Sequence, residues 1–164
     1  MPVLLSSLAA DMIAGRTLSL MEACALSAGA RCLLDVGPAA VPCGGRLPVL
    51  RAGEHPTPHR DETLAVCCFA LSMLSEQERR ALFLRLGSEA ARTLFIDFKM
   101  PERNLEWPGF LLFSPLRRLI SRCGESHAGG MEGMLHDART LFTVVSRHTF
   151  CAGALCGILV QNQG

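Results

Sequence analysis

The sequence predicts one α/β domain: a mainly parallel sheet, helices on both of its faces, and a C-terminal antiparallel strand pair. Three observations lead there. Short apolar runs alternate with amphipathic helical stretches, the pattern of a sheet covered on both sides. The 164 residues suit a single domain with a sizeable core. The last two apolar runs, Leu141–Thr149 and Ala154–Gln161, are joined by a turn at Ala152-Gly153 that is too short for a parallel crossover.

The first 30 residues read as two helices. Leu4, Leu5, Leu8 and Ile13 give the first an apolar face, and Gly15 interrupts it. Ser19-Leu20-Met21-Glu22 reads as a capping box that starts the second, and Gly29 closes it. Arg31–Val36 follows as a short buried strand.

Gly37–Arg60 holds five prolines and four glycines. Proline removes a donor and clashes with the preceding turn, so a long helix is ruled out there. Val49–Ala52 fits a short strand. Thr63–Ala70 is apolar throughout and reads as a central strand. A second capping box, Ser75-Glu76-Gln77-Glu78, starts a helix that turns Leu82, Phe83 and Leu86 to the sheet and ends near Gly87. Thr93–Phe98 is a further buried strand. Pro101–Pro108 reads as a loop, and Phe110–Arg122 and Gly129–Ala138 as helices.

Composition narrows the function classes. Sixteen basic against 15 acidic residues leave a net charge of +1, so no nucleic-acid footprint is indicated. The longest apolar stretches, Leu64–Leu74 and Thr149–Val160, are too short to span a bilayer. Met1–Ala14 lacks a basic start and carries Asp11, so a secretion signal is not expected. The eight cysteines then read as small core residues in a reducing cytoplasm. No C-x-x-C pair occurs, and adjacent Cys67 and Cys68 point to opposite faces of a strand, so no metal site is expected. Phosphate-loop and nucleophile-elbow motifs are absent.

Four stretches carry a resemblance. Leu33-Leu34-Asp35-Val36-Gly37 pairs a strand with the start of a glycine loop. Gly53-Glu54-His55-Pro56 and Asp61-Glu62-Thr63-Leu64-Ala65-Val66 combine an acid after glycine, a proline loop and an acid before a strand. Leu94-Phe95-Ile96-Asp97-Phe98 and Gly129-Gly130-Met131-Glu132-Gly133 complete the set. In this order they resemble the class I S-adenosylmethionine-dependent methyltransferases over most of Ser19–Val160.

The resemblance implies a Rossmann-like sheet with S-adenosylmethionine as cofactor and a small-molecule acceptor. Residues 1–30 would be N-terminal helices, 31–98 the cofactor-side sheet, and 99–164 the substrate-side loop, helices and closing hairpin. Asp35 and Gly37 would organise the loop around the methionine amino group, with His55 and Cys67 also beside the cofactor. Glu54 has two readings. The proline-loop match makes it the acid near the adenine. Its distance from the loop suits a ribose-binding acid, provided Val49–Ala52 takes the second strand's place. Cys67, Cys68 and Phe69 end the fourth strand, and one of them would border the cofactor; on the substrate side stand Phe69, Asp97, Arg103, His127 and Glu132, with Lys99, Glu102, Asn104 and His136 nearby.

Two departures accompany it. Alternate positions after Gly37 hold Ala39 and Val41 where the family has glycine, and Val41 is β-branched. Between Asp35 and Glu54 there is no room for the family's first crossover helix, second strand and second helix together, so part of the N-terminal half is expected to be missing. That loss would expose the edge of the first strand and invite pairing with a second copy. The alternative function is a non-catalytic binding or interaction module on the same fold.

Overall fold

The computed structural model describes residues 2–37, 45–51, 59–120 and 140–163. Helix α1 (Pro2–Ala28) leads into β1 (Cys32–Asp35) and β2 (Val49–Arg51). A 3-10 turn, Arg60–Glu62, precedes β3 (Thr63–Cys68), the short α2 (Ala70–Met73) and α3 (Glu76–Glu89). Strand β4 (Arg92–Phe98), a 3-10 turn at Asn104–Glu106, α4 (Trp107–Ile120) and the hairpin β5 (Phe142–Phe150) and β6 (Leu155–Asn162) follow.

The six strands form one sheet in the order β2-β1-β3-β4-β6-β5. Strands β2, β1, β3 and β4 run parallel, whereas β6 lies antiparallel between β4 and β5. Parallel strands end on one common edge, their carboxyl edge, and the loops after them meet there. Helices cover both faces, as the sequence predicts. Met21, Cys24, Leu33, Leu64, Leu94, Phe113 and Leu159 belong to one core layer, under α1 and α4. Ala65, Leu82, Phe83, Leu86, Phe95, Phe142 and Ile158 build the other, under α3. Cys67 and Cys68 fall into opposite layers, and the six cysteines among the described residues are buried.

The N-terminal reading is corrected. Gly15 does not divide two helices. Ile13, Thr17, Met21 and Cys24 form a buried stripe that runs straight through it. This packing outweighs the roughly 1 kcal/mol that glycine costs a helix. Ser19 is no cap either: its hydroxyl donates to the Gly15 carbonyl inside the helix. Glu22 instead accepts the Arg46 N–H at 2.7 Å, tying the segment after the glycine loop to α1. The helix ends as expected. Gly29 has φ +67°, and the Gly29 and Ala30 N–H groups donate to Leu26 and Ala25. Ser75 and Glu78 form the expected reciprocal cap of α3, but that helix passes Gly87 to end at Glu89. The third strand stops at Cys68, two residues short of its expected end, because Phe69 turns to φ +56°.

The short strand expected at Val49–Ala52 is present as Val49–Arg51, and what is corrected is the expectation of an exposed β1 edge. Strand β2 pairs parallel with β1 through Leu33–Val49, Leu34–Leu50 and Asp35–Arg51. Thirteen residues separate the two strands, enough for a crossover. The edge of β1 is therefore covered, and the edge strand on that side is the three-residue β2. The helix expected at Gly129–Ala138 lies outside the described residues.

Gly15→Ala tests the continuous helix. An added methyl meets nothing within 4 Å, so helix propensity alone should decide. Chemical denaturation should show a gain of about 0.5–1 kcal/mol; a loss would restore the break.

Candidate functional site

The carboxyl edge gathers the ends of β1, β3 and β4 with the tip of the β5–β6 hairpin. Asp35 closes β1, is 9% exposed, and accepts the Gly37 N–H through Oδ1 at 3.4 Å. Gly37 presses on the end of β3: a Cβ there would stand 3.0 Å from the Cys68 nitrogen and 3.2 Å from its oxygen. Glycine is used here because two backbones touch. The bend after Asp35 thus lies directly on the last residue of β3.

Cys68 stands between two carboxylates. Burial first, then the charges of Asp35 and Asp97, push its thiol up to about 12. Burial likewise raises the Cys67 thiol. Both shifts favour the neutral thiol over the thiolate. Cys67 packs into the α3-side core, while Cys68 faces the α1 side.

Phe69 follows in the left-handed region, at φ 56°, which is uncommon for an aromatic residue. Its N–H donates to the Ile96 carbonyl at 2.7 Å, and its ring lies 5.1 Å from that of Phe98. The turn throws the chain off the sheet into α2. Arg79, 6% exposed, reaches back from α3 and donates to the Leu71 and Leu74 carbonyls.

Asp97 is almost wholly buried, and its carboxylate has protein donors around it. The Ser72 N–H donates at 2.9 Å, the Phe98 N–H at 2.7 Å, and the Ser72 hydroxyl also donates. Burial pushes the Asp97 carboxyl above the usual carboxylate range, and these hydrogen bonds pull against that rise. Asp97, expected beside substrate, is held by α2.

Beyond β4, Lys99 is 8% exposed and donates to both Glu106 oxygens at 2.9 and 3.1 Å. Glu106 also accepts the Glu102 and Arg103 N–H groups. The Glu102 amide first, then Lys99, bring its carboxyl from the ordinary 4.5 to about 2. Arg147 of β5 donates to Glu102 at 3.0 Å. Arg103 caps the 3-10 turn with its backbone. The hairpin tip seals this loop. Cys151, Ala152 and Gly153 all have positive φ, and a Cβ on Gly109 would run into the Ala152 oxygen.

The structure thus brings Asp35, Gly37, Cys67, Phe69 and Asp97 to one edge, with Arg103 on the loop beside it. Glu54, His55, His127, Glu132 and His136 lie outside the described residues. Ser72, Glu106 and Gly109 were not legible as parts of this edge: their partners are 25, 7 and 43 residues away, and no local spacing marks them. Among the described residues no group of three or more His, Cys, Asp or Glu could hold a metal ion. No described helix is long and apolar enough to cross a membrane.

Comparison with family models finds no match, and comparison with curated proteins finds none. Solved structures do match. The N,N-8-amino-8-demethyl-D-riboflavin dimethyltransferase (RosA) from Streptomyces davawensis is 18% identical, with a TM-score of 0.50, over 80% of this chain and 42% of its own. LepI in complex with SAM is 11% identical, with a TM-score of 0.50, over 92% of this chain and 41% of its own. The chain has the class I methyltransferase-like fold, and it spans about two fifths of the length of these neighbours.

Two substitutions test the edge. Asp97→Ala strands buried donors and should cost about 2 kcal/mol in chemical denaturation, whereas Asp97→Asn, which keeps an acceptor, should cost less. Glu106 contributes stability above pH 4.5 that is lost as pH falls toward 2. An acid titration of thermal stability should therefore lose that component in Glu106→Gln; an unchanged acid limb would show that the carboxylate holds nothing.

Proposed function

We propose that the carboxyl edge binds S-adenosylmethionine and that the chain transfers its methyl group to a small-molecule acceptor. The observation that carries this reading is the buried carboxylate of Asp35 at the end of β1, followed by a glycine packed on the neighbouring strand. In open α/β sheets ligands sit outside the carboxyl ends of the strands, where tight turns leave backbone donors free. The residues fit the cofactor's chemistry: Asp35 supplies a negative charge for its ammonium group, and Gly37 keeps the bend close to the sheet. The fold shared with RosA, and the SAM held by LepI, support the same reading.

Glu54 follows β2 by three residues in sequence. The place of β2 beside β1 supports its ribose-binding reading over the adenine one, with His55 next to it. Phe69, Asp97 and Arg103 border the acceptor side, and the sequence resemblance assigns His127 and Glu132 to the same role. When bound, the cofactor supplies an already activated methyl group. The protein's task is then to orient the acceptor in line and exclude water. Asp97 and Lys99 are committed to protein partners, so they serve as framework rather than as bases.

That commitment also favours a second reading, a module that binds the cofactor without transferring its methyl group. Calorimetric titration with S-adenosylhomocysteine tests the cofactor site first. Binding should weaken at least tenfold in Asp35→Ala at unchanged far-UV dichroism. An absence of heat at millimolar ligand overturns both readings; binding without methyl transfer to any acceptor selects the second.

A further inference from the structure

We propose that Glu22 of α1 is a positioning residue for the cofactor site, a role that rests on the cofactor reading of the carboxyl edge. It fixes the far end of the connection that begins with the bend after Asp35.

That connection must travel back along the sheet. It leaves β1 at the carboxyl edge. Because β2 runs parallel to β1, it re-enters at the amino edge, where the Leu33 N–H donates to the Pro48 carbonyl at 2.9 Å. A helix packed on the sheet usually holds such a crossover. Among the described residues of this connection there is none. At its near end, Gly37 lies on the Cys68 backbone. At its far end, Gly45 lies on α1: a Cβ there would stand 2.8 Å from the Glu22 Oε1 and 2.9 Å from the Leu18 Cδ1. Leu18 and Glu22 are one helical turn apart and present one surface to the chain. Leu47 then packs against the α1-side core.

Of these far-end contacts the Glu22 bond is the directional one. Its carboxylate accepts the Arg46 N–H at 2.7 Å, the length of a charge-assisted bond. An exposed ion pair must order two flexible side chains and contributes little. Here the partner is backbone, so only the Glu22 side chain is ordered, and the bond fixes the course of the main chain. Without it the next hydrogen-bonded anchor is the Pro48 carbonyl. The span that starts at Gly37 then lengthens at its far end. A ligand that needs the bend in one arrangement binds in proportion to the fraction of chains that hold it. Arg46 lies nine residues beyond Gly37, so Glu22 acts through the chain and not on the cofactor.

Calorimetric titration with S-adenosylhomocysteine tests this. Glu22 is a partly exposed helical position, so Glu22→Ala should leave thermal stability and far-UV dichroism unchanged. It should weaken binding roughly threefold or more. Glu22→Gln keeps an oxygen acceptor and should restore most of the affinity. Gly45→Ala should weaken binding as well, because its methyl displaces the Glu22 carboxylate, and it should cost less in the Glu22→Ala background than alone. Amide hydrogen exchange of the ligand-free chain gives a second readout: Gly37 as well as Arg46 should exchange faster in Glu22→Ala. Binding by Glu22→Ala at parental affinity overturns the proposal and leaves the cofactor reading standing. Faster exchange confined to Arg46 does the same, as does equal weakening by Glu22→Gln and Glu22→Ala. A parent chain that releases no heat overturns the cofactor reading and this proposal together.

Discussion

Taking a carboxylate out of water is costly unless donors replace the water, and Asp97 is where this protein meets that requirement. It sits at the end of β4, the strand on which the sheet passes from parallel to antiparallel pairing. The Ser72 and Phe98 amides and the Ser72 hydroxyl surround it. Satisfying one buried charge therefore fixes the end of β4, the left-handed turn at Phe69 and the start of α2 together. The walls of the carboxyl edge follow from that bond set.

The opposite end of β4 is fixed in a similar way. Asn162, 5% exposed, donates to the Leu86 and Ala90 carbonyls and exchanges hydrogen bonds with Thr93. The last strand thereby closes the C-terminus of α3 against the amino end of the sheet. With both ends of β4 anchored by buried polar groups that find partners, the central sheet is a rigid base. Above it lies the ring of loops, where Lys99, Glu106 and the hairpin tip interlock. The proposed methyl transfer would need orientation more than reactive side chains, and such a base would supply it.

Elements whose signal is local were readable in advance. Ser75 and Glu78 cap α3 because the two residues satisfy each other three positions apart. Gly29 ends α1 because only a glycine takes that turn readily. The closing hairpin follows from a connection too short for anything else. Gly15 and Ser19 misled for the opposite reason: both carry strong local signals, and a continuous buried stripe from Ile13 to Cys24 overrode them. At the site, Asp35 and Gly37 were legible because strand end and bend adjoin in sequence. Asp97 was placed on the right edge, but its partner Ser72 was not foreseeable, since nothing in the spacing of the two residues joins them.

The amino-acid sequence by itself determined the α/β class, the parallel core of buried strands, the closing hairpin and the glycine bend after Asp35. Each of these is a consequence of hydrophobic period, chain connectivity or the conformational limits of single residues. Only the tertiary structure decided that β2 flanks β1, that α1 runs unbroken through Gly15, and that Asp97 and Lys99 are held by protein groups. Those outcomes depend on which distant surfaces meet, and free energies of packing and desolvation, rather than local preference, select among them.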